Sequence, residues 1–213
     1  MDTDHVVETY SWKLQVPAPP RLQEIGARNA FEAVVDMDHR TQVSSNDLEV
    51  NGTYRSIIKL KIAWQGAVKK RVWATGWLIR DDIVITAAHV VYQTDTFATE
   101  VRAHVGDNGA DSIQGLQRRY GSRVVIPCAW QDSQEVVHDF AFVLLQGPFD
   151  HVVPLPYEPT PSAGLNDIGV VGYPADKPGK QMYMEFRQVD CSLFEEGQPL
   201  AYGISTFRGK CKG

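Results

Sequence analysis

The stretch "ATGWLIRDDIVITAAHVVY" (residues 74–92) decides the fold class of this chain. Two apolar runs flank the turn-forming pair Asp81 and Asp82, and His89 follows the second run among small residues. Small residues after a strand can form one helical turn, so His89 is expected at a fixed place beside a buried strand. Taken alone, such a histidine also fits a structural role.

The same pattern of short strands continues along the chain. Apolar residues from Ile58 to Trp64 alternate with Lys59 and Lys61, which is the period of a half-buried strand, and residues 65–67 are predicted as a hairpin turn into a strand at 68–79. Further apolar runs lie at 82–86, 100–105, 122–127, 140–145, 168–173, 182–189 and 200–204. About nine strands with little helical periodicity predict an all-β barrel or sandwich. One helix is a candidate within residues 21–35.

Composition excludes several classes of function. The chain has 213 residues, 43% of them hydrophobic, and a formal net charge of -5, which argues against binding to nucleic acid or to an anionic membrane. No apolar run reaches the ~18 residues of a membrane span.

The cysteines at 128, 191 and 211 are odd in number and contain no CxxC pair, so neither a disulfide framework nor a zinc site is expected, and no cofactor is predicted. The N-terminal residues lack a signal-peptide pattern, which predicts an intracellular, cytoplasmic protein, or a secreted one if the true N-terminus lies elsewhere.

Two more residues with reactive side chains follow His89. Asp139 immediately precedes an apolar strand in "HDFAFVLL" (138–145), and Cys211 lies two residues after Gly209 in "GKCKG" (209–213). Asp139 alone also fits a turn, and Cys211 alone also fits an unremarkable position near a chain end. Histidine, aspartate and nucleophile follow one another with separations of 50 and 72 residues.

That order on a β-rich chain resembles the chymotrypsin-like peptidase superfamily. Several motifs are similar to its glutamyl endopeptidase-like branch: "VVDMDHRTQV" (34–43), the histidine and aspartate motifs, "VGYPADKPGK" (171–180) and "ISTFRGKCKG" (204–213). The resemblance implies two antiparallel β-barrels, the first at about 31–130 and the second at about 135–213. Residues 1–30 are expected to be a tail or pro-segment. The family's last strands follow the nucleophile, so the second barrel is expected to be incomplete and the chain truncated.

The resemblance also implies a role for each residue in endopeptidase chemistry on a protein or peptide substrate. His89 is the general base, Asp139 orients it, and Cys211 takes the place of the family's serine nucleophile. The backbone N–H of Gly209 contributes to the oxyanion hole, and Thr206 matches a threonine that binds an acidic side chain before the cleaved bond.

One departure from the family pattern supports an alternative function. Lys212 replaces the glycine that follows the nucleophile, which favours a catalytically inactive barrel or gene fragment that binds peptides or proteins. The remaining histidines at 104, 138 and 151 are predicted to be structural or exposed, and the acidic loop with Asp107, Asn108 and Asp111 is predicted to be a solvated turn. The physiological substrate and the oligomeric state are left open.

Overall fold

The computed structural model describes residues 7–15, 38–65, 71–93, 95–109, 115–158, 164–177 and 180–193. In these ranges the regular elements are mostly strands, with short 3-10 turns and one short α-helix. In chain order they are β1 (Thr9–Lys13), β2 (Thr41–Gln42), β3 (Ile57–Trp64), β4 (Arg71–Arg80), β5 (Ile83–Thr86), β6 (Tyr92–Gln93), β7 (Thr96–Val105), β8 (Gln117–Pro127), α1 (Cys128–Ser133), β9 (Ala141–Leu145), β10 (Leu165–Gly172) and β11 (Tyr183–Asp190). The predicted all-β class is confirmed.

Six strands close into an antiparallel barrel. Around it the neighbours are β3, β4, β5, β9, β8 and β7, and β7 pairs again with β3. The interior is filled by fully buried aliphatic side chains, among them Ile58, Leu60, Ile62, Leu78 and Val84. Because closure pairs neighbouring strands all the way round, the strand ends and the residues that follow them are held in fixed relative positions.

The face of β3 that carries Lys59 and Lys61 is also buried, which corrects the prediction of a half-buried strand. The alternation between Ile58 and Trp64 predicted that Lys59 and Lys61 would lie on the exposed face of a half-buried strand. In the structure these lysines are only 1% and 9% exposed. The centre of the Trp73 ring on β4 lies 4.8 Å from Lys59 Nζ and 4.6 Å from Lys61 Nζ. A period of two identifies the two faces of a strand but does not tell whether a second layer covers the polar one.

A smaller antiparallel sheet, in the order β10, β11, β2, lies beside the barrel. Its buried core residues are Val43, Leu48, Ile57, Tyr173 and Met182. Met182 is fully buried and fills the core of this sheet. Since Ile57 also belongs to barrel strand β3, the smaller sheet packs directly against the barrel. The boundaries of two separate barrels remain a prediction.

Some sequence predictions fall outside the described residues. The helix at 21–35 and the strand at 200–204 lie there, as do residues 66 and 67 of the predicted turn and residues 68–70 of the predicted strand that follows it, although the hairpin itself is formed by β3 and β4. The predicted tail or pro-segment at 1–30 contains β1, which pairs with β8. None of the helices in the described ranges has the length and apolar character that a membrane crossing requires.

Candidate active site

His89 and Asp139 meet because two neighbouring barrel strands run in opposite directions. Thr86, the last residue of β5, is paired with Ala141, the first residue of β9. His89 lies in the 3-10 turn Ala88–Val90 just after β5, and Asp139 lies two residues before β9. The end of one strand and the start of the other therefore bring residues 50 positions apart into direct contact.

The Asp139 carboxylate holds His89 at two points. Its Oδ1 accepts a hydrogen bond from the His89 backbone N–H at 2.8 Å, and its Oδ2 lies 2.7 Å from the imidazole Nδ1. A carboxylate at Nδ1 favours the tautomer that carries its proton there, which leaves Nε2 with a free lone pair. The His89 side chain is 36% exposed, so a base at this position is accessible from solvent.

A hydrogen-bond chain fixes the strand before His89 to the smaller sheet. Thr86 Oγ1 donates to the Thr75 carbonyl at 2.8 Å, and the Tyr173 N–H donates to Thr75 Oγ1 at 2.9 Å. All three residues are buried, and Tyr173 follows the end of β10 directly. Buried hydrogen bonds of this kind restrict relative movement, because breaking one leaves an unsatisfied polar group. Thr75 thereby connects the histidine segment to the smaller sheet.

A buried polar cluster lies where the loop after β7 meets the smaller sheet. Lys59 Nζ forms a 2.7 Å ion pair with Asp107 and donates a 2.6 Å hydrogen bond to the Lys180 carbonyl. Burial lowers the pKa of Lys59, while the Asp107 charge opposes that shift. Asn108 is 1% exposed and donates to Ser45 Oγ at 3.1 Å. The prediction of a solvated turn is therefore wrong for Asp107 and Asn108: Asp107 neutralises a buried lysine, and Asn108 is buried against the 3-10 turn that begins at Ser45. The third residue of that prediction, Asp111, lies outside the described residues.

A second ion-pair cluster was not identified from the sequence. The Arg40 side chain, 1% exposed, binds Asp38 through Nε at 2.7 Å and binds Asp176 through Nη1 at 2.9 Å. Lys177 also contacts Asp38. Arg40 and Lys177 together hold the pKa of the Asp38 carboxyl well below its usual range. We call Asp38, Arg40, Asp176 and Lys177 the arginine clamp. It joins the segment before β2 to the turn after β10. Its four charged residues lie within the motifs at 34–43 and 171–180, so the sequence signal that could have indicated it was the opposite charge of these two motifs.

The remaining predicted site residues, Thr206, Gly209 and Cys211, lie outside the described residues. The structure thus brings together two of the predicted catalytic residues, and the roles of all five stay predictions. His104 is buried and His151 is exposed. Within the described ranges, no three His, Cys, Asp or Glu side chains are grouped to bind a metal ion.

A closed β-barrel with a histidine and an aspartate joined at adjacent strand ends is the arrangement of chymotrypsin-like serine peptidases. Residues 50–204 match the family described as Trypsin, and the chain belongs to that family. This confirms the superfamily inferred from the His and Asp motifs.

Two curated bacterial proteins are similar to this chain in sequence. The glutamyl endopeptidase of Bacillus licheniformis is 25% identical over 185 residues, which cover 85% of this chain and 54% of that protein. The extracellular metalloprotease of Bacillus subtilis is 27% identical over 180 residues, which cover 82% of this chain and 54% of that protein. The chain spans about half the length of these curated relatives.

Solved structures show the same fold. A Glu endopeptidase determined in complex with MPD superposes with a TM-score of 0.66 at 22% identity, covering 84% of this chain and 80% of that one. HL collagenase superposes with a TM-score of 0.56 at 15% identity, covering 83% of this chain and 81% of that one. At these identities the likeness concerns the fold, and the chymotrypsin-like fold predicted from the sequence is confirmed.

Proposed function

We propose that this protein is an endopeptidase that uses His89, Asp139 and Cys211 to hydrolyse peptide bonds. The observation that carries the proposal is the two-point contact between Asp139 and His89, because it orients an imidazole whose Nε2 is free to accept a proton. Family membership supports a protein or peptide as the substrate. The predicted serine position holds a cysteine, whose thiolate is an effective nucleophile when a neighbouring histidine accepts its proton.

In the proposed reaction, His89 Nε2 removes the proton from the Cys211 thiol, and the sulfur attacks the carbonyl carbon of the substrate. The negative charge that develops on the carbonyl oxygen is stabilised by backbone N–H groups, including that of Gly209. The imidazolium then gives its proton to the leaving amine as the carbon–nitrogen bond breaks. Water, deprotonated by the same imidazole, releases the acid product from the thioester. Throughout, Asp139 stabilises the positive charge that forms on the ring.

Cleavage after an acidic residue is the finer part of the proposal. It rests on Thr206, which matches the family's threonine for an acidic side chain, and on the similarity to a relative named glutamyl endopeptidase. A peptide series that varies only the residue before the cleaved bond, with Glu, Asp, Gln or Leu, tests it. Faster hydrolysis of the Glu peptide supports the preference, and equal rates across the series remove it without affecting the proposed chemistry.

The catalytic proposal is tested by labelling the native protein with a thiol-directed probe and locating the label by peptide mass spectrometry. Cys211 should react faster in the wild type than in His89→Ala, while Cys128 and Cys191 report any general change in accessibility. His151→Asn, at an exposed turn, is the matched control and should label like the wild type. Loss of peptide hydrolysis in both Cys211→Ala and His89→Ala completes the expected result.

Equal labelling of Cys211 in the wild type and in His89→Ala, with no hydrolysis by either, would contradict the proposal. Saturable binding of uncleaved peptides under the same conditions would then favour the alternative of an inactive peptide-binding barrel, which the substitution of Lys212 for the family's glycine supports.

A further inference from the structure

Strand β1 occupies a gap in the wall of the barrel. β8 has 11 residues, and β7 covers only its first part, with Val105 opposite Gln117 and Arg102 opposite Tyr120. Beyond that point β9 continues along one edge of β8. On the other edge β1 pairs with residues 123–127 of β8. β1 thus replaces β7 as the neighbour of β8 where those two strands separate. We call this gap the β7–β8 seam.

Backbone hydrogen bonds attach the segment Glu8–Gln15 to both sides of the seam. On the β8 side, the Leu14 N–H donates to the Ser122 carbonyl at 2.9 Å, and the Cys128 N–H donates to the Glu8 carbonyl at 2.9 Å. On the β7 side, the Gln15 N–H donates to the Thr99 carbonyl at 2.8 Å. The segment therefore satisfies polar backbone groups on two strands that do not reach each other there.

The side chains of the segment alternate as expected for a strand with one face on the barrel. Leu14 is 8% exposed and belongs to the barrel core. A β-carbon added at Gly121 would lie 2.5 Å from Leu14 Cδ1, so the glycine on β8 makes the room that Leu14 fills. Thr9, Ser11 and Lys13 face outward and are exposed.

An aromatic contact anchors the middle of the segment. Trp12 packs edge-on against Phe97 of β7, with ring centroids 5.2 Å apart, and its indole N–H donates to the Ala98 carbonyl at 2.8 Å. Tyr10 lies 5.9 Å from the same Phe97 ring. Tyr10, Trp12 and Leu14 thus lie on the face of the segment that contacts the seam, with Leu14 buried, Trp12 half-buried and Tyr10 36% exposed at its edge.

We propose that the seam is a strand-binding site whose occupant is this chain's own segment Glu8–Gln15, and that the segment stays bound without covalent connection to the barrel. The contacts described for it are hydrogen bonds and apolar packing, mostly against β7 and β8 and at one end against Cys128 of α1, and 22 residues, 16–37, separate it from the next described segment. A chain cut within 16–37 therefore keeps its N-terminal peptide as a bound strand. This inference concerns binding only and does not depend on the proposed peptidase activity.

The experiment replaces residues 22–28 with the recognition sequence of a site-specific protease, cuts the folded protein, and passes it over a gel-filtration column at micromolar concentration. Mass spectrometry should find the N-terminal peptide in the barrel fraction at one copy per barrel. Elution of the peptide in the small-molecule fraction would overturn the proposal. A dimer that exchanges the segment between two copies would also overturn it, because the occupant would then come from another molecule.

Synthetic peptides covering residues 7–15 allow variants to be compared on the same cut protein, by measuring how well each peptide displaces the bound native peptide. Replacing Leu14 by Ala should weaken binding roughly 30- to 100-fold, since it removes a buried side chain. Replacing Trp12 by Phe should weaken it about fivefold through loss of the indole hydrogen bond. The control, Thr9 to Ala at an exposed position, should stay within about twofold. Equal affinities for all four peptides would show that the seam does not recognise this segment and would reject the proposal.

Discussion

Asp139 accepts two hydrogen bonds from His89, one from the backbone N–H at 2.8 Å and one from Nδ1 at 2.7 Å. Replacing the carboxylate by an amide in Asp139→Asn places an N–H₂ or a neutral carbonyl opposite Nδ1 and removes the charge that favours the imidazolium. Under the proposed function, we expect kcat for a peptide substrate to fall by about 10⁴, the loss found when a serine peptidase triad loses this carboxylate.

The control for this variant is Asp132→Asn, which changes an exposed carboxylate in α1. It should leave hydrolysis within about twofold of the wild type, because exposed substitutions away from a site have small effects. A variant at 139 that keeps wild-type hydrolysis while it unfolds at a lower temperature would show that this contact stabilises the fold and is not needed for catalysis.

Much of the barrel could be predicted from the sequence, because local patterns determine it. The alternation in β3 and the apolar run in β4 predicted their hairpin, and the motifs around residues 89 and 139 predicted a histidine after one strand and an aspartate before another. The contact between these side chains required the superfamily resemblance, because the pairing of β5 with β9 is non-local. No local pattern tells which strands of a barrel become neighbours.

Other features could not be predicted for physical reasons. β1, β2 and β6 are short or interrupted by polar residues, and each becomes a strand only because a longer strand offers it a free edge. Lys59 has the pattern of an exposed residue, but Trp73 and Tyr173 cover it from distant parts of the sequence. Burial of a charged side chain depends on such tertiary partners.

The arginine clamp is expected to contribute to stability. Arg40 is almost completely buried between two carboxylates, so Asp176→Asn leaves a buried guanidinium with one ionic partner fewer. We expect the free energy of unfolding, measured in urea, to fall by about 2 to 4 kcal/mol. Asp150→Asn is the matched control, since Asp150 pairs with Arg119 but is 72% exposed, and it should cost about 1 kcal/mol or less. Equal losses in the two variants would mean that the clamp contributes no more than a surface pair.

Gly76 marks a place where β4 and β5 pack too closely for a side chain. A β-carbon there would lie 2.7 Å from the Ile85 carbonyl oxygen and 2.6 Å from Val84 Cγ1. Since the first of these is a backbone atom that cannot rotate away, Gly76→Ala should destabilise the protein by about 2 to 3 kcal/mol in the same urea measurement. At Gly147 an added β-carbon would meet no atom within 4 Å, so Gly147→Ala should change stability by about 0.5 kcal/mol or less. Wild-type stability of the variant at 76 would contradict the close packing of these strands.

His104 should make the fold sensitive to mild acid. Its side chain is 7% exposed, and burial, aided by the cations Arg118, Lys59 and Lys61, lowers its pKa from 6.5 to about 4, although Asp107 opposes the shift. Between these two pKa values the unfolded chain binds the proton more readily than the folded one, so this group's contribution to stability is present above pH 6.5 and is lost as the pH falls toward 4. The loss between pH 7 and pH 5 should be about 2 kcal/mol.

Urea unfolding of the wild type and of His104→Gln at pH 7 and pH 5 measures this contribution. Other groups also titrate in this range. The test therefore compares how much the free energy of unfolding falls from pH 7 to pH 5 in the wild type with how much it falls in His104→Gln. Glutamine cannot take up the proton, and His104→Gln should therefore lose about 2 kcal/mol less than the wild type on acidification, whatever its stability at pH 7. His151→Asn, which removes an exposed histidine, should follow the wild type. Parallel losses in the wild type and His104→Gln would place the acid sensitivity in other groups.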